Sequence, residues 1–271
     1  MNQRFTDLHV HSEYSSCAED VTVAGWADIA RTTDNVFALT DHSAHIFFPP
    51  DRKWGLWTDQ AVELFEANIE AGEGRIRDYL DYVRGLRCGG MLVGAELDIM
   101  PDGRPVYPTE LLDGLDLVLG AVHAMPTLRH KRPLHEVEDE FRFQVQVFAG
   151  MGVDALAHPF RLMLGADYPV SDELVRWTVE VAVQSGMALE INSHKRYPDH
   201  DVAMVRAALD CDAHLIVGSD AHRWDEFGDF AYHVDILQQA GVGPEALDEL
   251  LWLPETTALG PGQSLRPAAA G

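Results

Sequence analysis

The feature that most constrains this chain is an alternation. Short, β-branched apolar runs recur along it, separated by stretches of one or two dozen residues with helical spacing. The runs are Phe5–Val10, Val36–Thr40, Met91–Asp98, Leu117–Val122, Ala155–Ala157, Ala188–Ile191 and Leu215–Gly218. Between them, Val137, Phe141, Val145 and Phe148 recur at the period of a helix face. So do Leu174, Val175, Val179, Ala182 and Val183, with Ser171 placed as an N-cap and Gly186 just past the end. Trp26, Ile29 and Ala30 mark an earlier helix after Thr22, and Val202, Val205 and Leu209 a later one. Seven strand–helix units with short connections predict an α/β protein whose parallel sheet closes into a barrel. A doubly wound open sheet is the competitor, but no glycine-rich phosphate fingerprint follows the first strand. With 271 residues, 46% of them apolar, one barrel domain over 1–259 is expected, followed by a Pro/Gly/Ala-rich tail over 260–271.

One segment breaks the rhythm. Residues 43–74 are long for a β–α connection and carry Phe47, Phe48, Trp54 and Trp57. Thr58 to Ala71 has a helical pattern, with Val62, Phe65 and Ile69 on one face. The segment reads either as a lid-like insertion that walls the substrate or as a flap that covers the barrel mouth by packing alone.

The chemistry sits where the runs end. The first run is followed through Asp7-Leu8-His9-Val10-His11, the second ends in Thr40-Asp41-His42, and the third contains Glu96 and Asp98. The others end in Val122-His123, Ala157-His158, Asn192-Ser193-His194 and Asp220-Ala221-His222. His9 and His11, two residues apart, point to one face of a strand, and Asp220 and His222 repeat that spacing beside them once a barrel closes. Active sites of such barrels lie at the C-terminal ends of the strands. His9, His11, His42, Glu96, His123, His158, Asp220 and His222 are eight ligand candidates, more than the three that one catalytic zinc needs. They imply two or three divalent transition metals (zinc, manganese or iron), because imidazole with carboxylate suits these better than magnesium or calcium. Glu96 is the best bridge, as the only central glutamate among them. Asp7, Asp41, Asp98 and Asn192 are placed to orient ligands from behind. His45 and His194 read as substrate contacts, and Arg161, Lys195 and Arg196 as clamps for phosphate oxygens, with Trp54 at the mouth. His130, His135, His200, His214 and His233 fall in helical or loop patterns and read as surface or partly buried residues.

The net charge is −24, and only Lys53, Lys131 and Lys195 are lysines. Such a chain repels a nucleic-acid backbone except where metals or local Arg clusters reverse the field, which argues against a long nucleic-acid track. Most of its carboxylates are simply solvated surface. No apolar run reaches the roughly 20 residues of a membrane span, and no signal peptide is visible at Met1-Asn2-Gln3-Arg4. Three cysteines make no disulfide framework, so a cytoplasmic location is expected. The oligomeric state leaves no trace in the sequence.

In order and spacing, Asp7-Leu8-His9-Val10-His11-Ser12, Thr40-Asp41-His42, the Glu96 strand, Val122-His123, Ala157-His158-Pro159, Glu190-Ile191-Asn192 and Ser219-Asp220-Ala221-His222 resemble the PHP (polymerase and histidinol phosphatase) family over nearly the whole chain. The stretch from Gly94 to Gly103 looks like the subgroup containing stand-alone phosphatases and the PHP domains of bacterial family X polymerases. The resemblance implies a distorted (β/α)7, TIM-like barrel with a trinuclear site. His9, His11, Glu96 and Asp220 would hold the first metal, Glu96, His123 and His158 the second, and His42 and His222 the third. A further ligand is expected from the loop after the first strand, where relatives often carry His or Asp. Here that loop reads Ser15-Ser16-Cys17-Ala18-Glu19-Asp20, and Cys17 occupies the expected place. A thiolate there suits zinc or iron, Glu19 or Asp20 swinging in or a weak third site are the alternatives, and a small buried residue without chemistry is the plain reading of Cys17.

The function expected is hydrolysis of a small phosphate monoester, such as histidinol phosphate, a nucleotide or a sugar phosphate. A metal-bound hydroxide would attack, with Glu96, Asp220 and His222 as the catalytic residues. A phosphodiesterase or exonuclease working on nucleotides or short nucleic-acid ends, an amidohydrolase and a non-catalytic regulatory domain are the competing readings. No lysine on a strand is available for carbamylation, and a regulatory domain would not need eight convergent ligands.

Overall fold

Branched side chains sit better on a pleated surface than against a preceding helical turn, and each apolar run becomes a strand. The computed structural model describes residues 5–254, so the tail expected over 260–271 lies outside the described residues. The strands are β1 (Asp7–Val10), β2 (Val36–Leu39), β3 (Gly90–Leu97), β4 (Leu117–Ala121), β5 (Ala155–Ala157), β6 (Ala188–Asn192) and β7 (Leu215–Gly218). Every neighbouring pair is parallel, and the order in the sheet is the order in the chain. The ring closes where the chain just past β7 meets β1. Val10 bridges Ala221, the Asp220 amide donates to the His9 carbonyl at 2.8 Å, and the His11 amide donates to the Ala221 carbonyl at 3.0 Å. A distorted seven-stranded barrel results.

Helices on the outside cover the sheet. Val137, Phe141, Val145 and Phe148 are all fully buried along the helix Leu134–Met151. Ser171 caps the helix Asp172–Ser185 by accepting from the Leu174 amide at 3.1 Å, and Gly186 ends it with a φ of 73°. Thr22 caps the helix Val23–Thr32 through the Gly25 amide. The apolar stripes are broader in sequence than in contact, since Val183 and Leu209 remain exposed. Facing the other way, Leu92, Leu119, Ala121, Ala188 and Ile216 belong to a second apolar cluster. Each lies two or four residues before an inward polar residue on the same strand face, so this cluster plugs the barrel beneath the site.

Segment 43–74 is more broken than its pattern suggests. It folds as a helix Ser43–Phe47, a tight turn Gly55–Trp57 and a helix Ala61–Glu66 before the helix Ile69–Leu86 begins. The expected helix over Thr58–Ala71 is interrupted at Ala67 and Asn68, where the Asn68 side chain donates to the Leu64 carbonyl at 2.8 Å. That interruption turns Ile69 to solvent while Phe65 stays buried. Phe47 and Phe48 are buried as well, whereas Trp54 is half exposed. His233 departs from expectation too. It is wholly buried, with Nε2 3.1 Å from the Gly218 carbonyl. No helix among the described residues is long and apolar enough to cross a membrane.

Candidate metal centre

All eight donors proposed from the strand ends meet in one place. The side chains of His9, His11 and Glu96 are fully buried, and those of Asp220, His42, His158 and His222 nearly so. Glu96 sits at the middle, and its two oxygens face different neighbours. Oε1 is 2.8 Å from His158 Nε2 and 3.2 Å from His123 Nε2. Oε2 is 2.6 Å from His42 Nδ1, 3.5 Å from His9 Nε2 and 3.7 Å from His11 Nε2. Asp220 Oδ1 completes the second group, 2.8 Å from His11 Nε2 and 3.7 Å from His9 Nε2.

These distances suit a cation better than a hydrogen-bond network. Donors about 2.0–2.1 Å from a tetrahedral zinc sit about 3.3 Å from one another. His9 Nε2 and His11 Nε2 are 3.1 Å apart, and hydrogen bonds on the far side of each ring fix where its proton lies. His9 Nδ1 donates to Glu190 Oε1 at 2.8 Å, which leaves Nε2 an inward lone pair. His11 Nδ1 donates to Ser15 Oγ at 2.9 Å, whose own proton goes to Asp41 Oδ1 at 2.6 Å. His123 Nδ1 donates to Asp98 Oδ1, and His222 Nδ1 to the Asp220 carbonyl. Four imidazoles thus carry their protons outward and their lone pairs inward. His42 Nδ1 and Glu96 Oε2 are close, yet neither has a hydrogen-bond partner. Two buried acceptors facing each other are costly unless nearby cations satisfy each of them.

The charges agree. Burial alone would raise the Glu96 carboxyl, but His42, His123 and His9 hold it well below the usual carboxylate range. Burial likewise opposes ionisation of Asp220, and Arg161 and His9 outweigh it. Burial would lower His123, but Glu96 and Asp98 push it up to about 9. His158 goes the other way, to about 4, through burial and the Arg161 guanidinium. For Cys17, burial is overcome by the surrounding imidazoles of His222, His42 and His45, and the thiol falls to about 4. Cys17 Sγ lies 2.9 Å from His222 Nε2. Two ligand candidates hold strained backbone, His158 at a φ of 28° and Asp220 at 54°.

The supporting residues are partly those expected. Asp98 holds His123 directly, and Asp41 reaches His11 through Ser15. Asp7 touches no ring. It sits one layer deeper on β1, where its carboxylate accepts from the amides of Ser219 and Gly228. Glu190 takes the place beside His9 and also accepts from the His158 amide at 2.7 Å, a role missed from sequence. Its signal was present: Glu190 lies two residues before Asn192 on β6 and so shares its inward face. Gly218 makes the space, because a Cβ there would fall on Glu190 Oε1 and His9 Cβ.

Arg161 pairs with Asp220 Oδ2 at 2.6 Å and also meets Asn192 Oδ1, while Asn192 Nδ2 reaches Asp220 Oδ2 at 3.4 Å. His194 lies tilted against His222 with ring centroids 4.7 Å apart, and Lys195 is exposed at the rim. Arg196 lies over Tyr232 and near Asp229, facing away from the cluster. Trp54 packs edge-on against His45, and Trp57 Nε1 donates to the His123 carbonyl at 2.7 Å. A cavity of about 670 Å³ flanks the centre. Ser15, Ser16 and His45 are among its lining residues, and none of Glu96, His123, His158 and Asp220 is. A cleft of about 10 Å³, room for roughly one water, touches the cluster on the other side, at His158, Arg161, Asn192 and Lys195.

A parallel barrel whose strand ends converge on buried imidazoles and carboxylates defines a metal-dependent hydrolase. The family profile described as PHP domain matches residues 7–194, and the chain belongs to that family. It is 27% identical over 248 residues to a probable phosphatase of Syntrophotalea carbinolica, covering 89% of this chain and 90% of that one. It is 24% identical to the probable phosphatase YcdX of Escherichia coli O127:H6, covering 89% and 88%. The DNA polymerase/3'-5' exonuclease PolX of Bacillus subtilis is 26% identical over 226 residues, but the chain spans only 35% of that protein's length. Among solved structures, the histidinol phosphate phosphatase of Lactococcus lactis, in complex with zinc, L-histidinol and phosphate, has the same fold. The TM-score is 0.51 at 15% identity, covering 89% of this chain and 95% of that one.

Proposed function

We propose that the protein hydrolyses small phosphate monoesters, with two or three divalent transition metals (zinc, manganese or iron) as cofactors. The observation that carries this reading is Glu96, a buried carboxylate whose oxygens face two separate groups of imidazoles. His9, His11, Glu96 and Asp220 would hold one ion, Glu96, His123 and His158 a second, and His42, His222 and Cys17 a third. Cations so held polarise water into a nucleophile and neutralise charge on the transferring phosphoryl group. The chain's own work is positional. Glu190, Asp98 and the Ser15–Asp41 pair keep protons on the outer nitrogens of His9, His123 and His11. Arg161, held by Asp220 and Asn192 with its Nε buried and unpartnered, is the cation best placed to meet a phosphate oxygen. His194 and Lys195 line the rim. Glu96, Asp220 and His222 are the residues on which turnover depends most directly.

The acidic surface favours a small phosphorylated metabolite over a long nucleic acid. Three free cysteines suit a reducing compartment such as the cytoplasm. The similarity to the polymerase keeps one second reading alive, a phosphodiesterase acting on short ends. Metal-loaded protein should be assayed against an aryl phosphate, a dinucleotide, and a panel of histidinol phosphate, nucleoside monophosphates and sugar phosphates. Monoester turnover that Glu96→Ala and Asp220→Ala both abolish is the expected result. Undiminished turnover by these folded variants rejects the proposal, and cleavage of the dinucleotide alone moves it to the diesterase.

A further inference from the structure

Two histidines flank Cys17 with opposite hydrogen-bonding instructions from the backbone. His222 Nδ1 lies 2.7 Å from the Asp220 carbonyl, an acceptor, so the ring proton is on Nδ1 and Nε2 carries a lone pair. That Nε2 is 2.9 Å from Cys17 Sγ. His45 is fixed the other way. Its Nδ1 accepts from the Ser16 amide at 3.1 Å, so the neutral ring must keep its proton on Nε2. His45 is nine-tenths buried, and Nε2 has no partner. Cys17, His42 and His45 nonetheless bring potential donor atoms within 4.8 Å of one another. A buried N–H without an acceptor is unfavourable, and the nearby sulfur is an acceptor that a small rotation of either side chain would supply.

Resting on the metal-centre reading above, in which Cys17, His42 and His222 hold the third cation, we propose that His45 is the N–H donor to the Cys17 thiolate rather than a fourth ligand. A coordinated thiol is deprotonated by its metal, so the sulfur then carries the charge that His45 Nε2–H can meet. The donor atoms grouped with Cys17 are those of His42 and His45, both imidazoles. The third position is therefore softer than the two that share Glu96, and it selects zinc, cobalt or ferrous iron over manganese. His45 is a positioning residue. It holds the sulfur in place and tunes how strongly it donates.

The test is spectroscopic and needs no turnover. Cobalt(II) is titrated into the chelator-treated full-length protein and the near-ultraviolet thiolate-to-cobalt charge-transfer band is followed. One equivalent should develop the band, and the others should not. Cys17→Ser should abolish it while the remaining equivalents still bind. His45→Leu should keep the band but move it to lower energy and weaken that equivalent about 10-fold, the size of an outer hydrogen-bond partner's effect. His45→Gln, which restores an N–H donor, should move it back. X-ray absorption of the zinc-loaded wild type should show a sulfur at ~2.3 Å, which keeps the test valid if a variant misfolds. A zinc shell without sulfur, or a band that survives Cys17→Ser, overturns the thiolate ligand. An unmoved band in His45→Leu, or loss of the whole equivalent in both His45 variants, overturns the donor role. A sulfur band without phosphatase turnover would sink only the proposed function, and turnover without sulfur only this inference.

Discussion

Around Glu96 the donors stand on strands or one or two residues past them, whereas around Cys17 they come from the loops that leave β1, β2 and β7. The first region has two carboxylates, and the outer nitrogens of His9, His11 and His123 are each held by a side chain. The second has a thiol, and its ring protons are set by backbone groups of Asp220 and Ser16. Barrel closure dictates the first arrangement, because seven strands in fixed register leave little freedom at their ends. Loop composition dictates the second, and there a single residue such as Cys17 changes what ion the position prefers. The centre thus joins a part common to the fold with a part particular to this chain.

The largest effect should come from the shared carboxylate. Glu96→Ala is expected to lower turnover by about 10³-fold or more and to lose both ions it is proposed to hold, measured by steady-state kinetics and metal analysis. Retention of either ion at wild-type affinity would show that the Glu96 region does not depend on its bridge.

Proton competition comes next. His123 is raised to about 9 in the metal-free fold. A raised histidine contributes stability that is fully present below its unfolded value of about 6.5 and lost as pH rises through about 9. Metal-free protein should therefore lose stability over that window, by up to about 3 kcal/mol from this group, and His123→Asn should flatten the curve. Denaturation midpoints at several pH values check the sign. Metal uptake should release protons over the same range.

A smaller effect is expected behind the rings. Glu190→Ala should weaken binding to the Glu96 region by about 10–100-fold and leave the thiolate equivalent unchanged, a contrast readable in one cobalt titration. Gly218→Ala should produce the same weakening by displacing Glu190 and His9, and should cost about 1–3 kcal/mol of stability. Smallest of all should be the turnover change in Cys17→Ser, only a few-fold, since the donors around Glu96 and His222 itself stay in place. A loss matching that of Glu96→Ala would erase the distinction between the two regions.

Much of this was legible in one dimension because strands have a period of two. His9 with His11, and Asp220 with His222, announce shared faces by spacing alone, and the residue after each apolar run falls at the barrel mouth by the polarity of parallel strands. The helix caps Ser171 and Gly186 were equally plain. Glu190 was overlooked because it lies inside a strand that otherwise reads as apolar, and nothing local says that its carboxylate meets His9, 181 residues earlier in the chain. The break at Asn68 turns on a side chain bonding to its own helix, which the hydrophobic pattern does not record.

By itself the sequence determined the kinds of donor, their order, and the alternation that makes a parallel barrel, since all three are properties of neighbouring residues. Only the tertiary structure decided which ring nitrogen faces inward, which carboxylate supports which imidazole, and how the oxygens of Glu96 divide between two groups. Those depend on atoms brought together by closing β7 onto β1, and a proton's position on a ring is set by whatever acceptor the fold places against it.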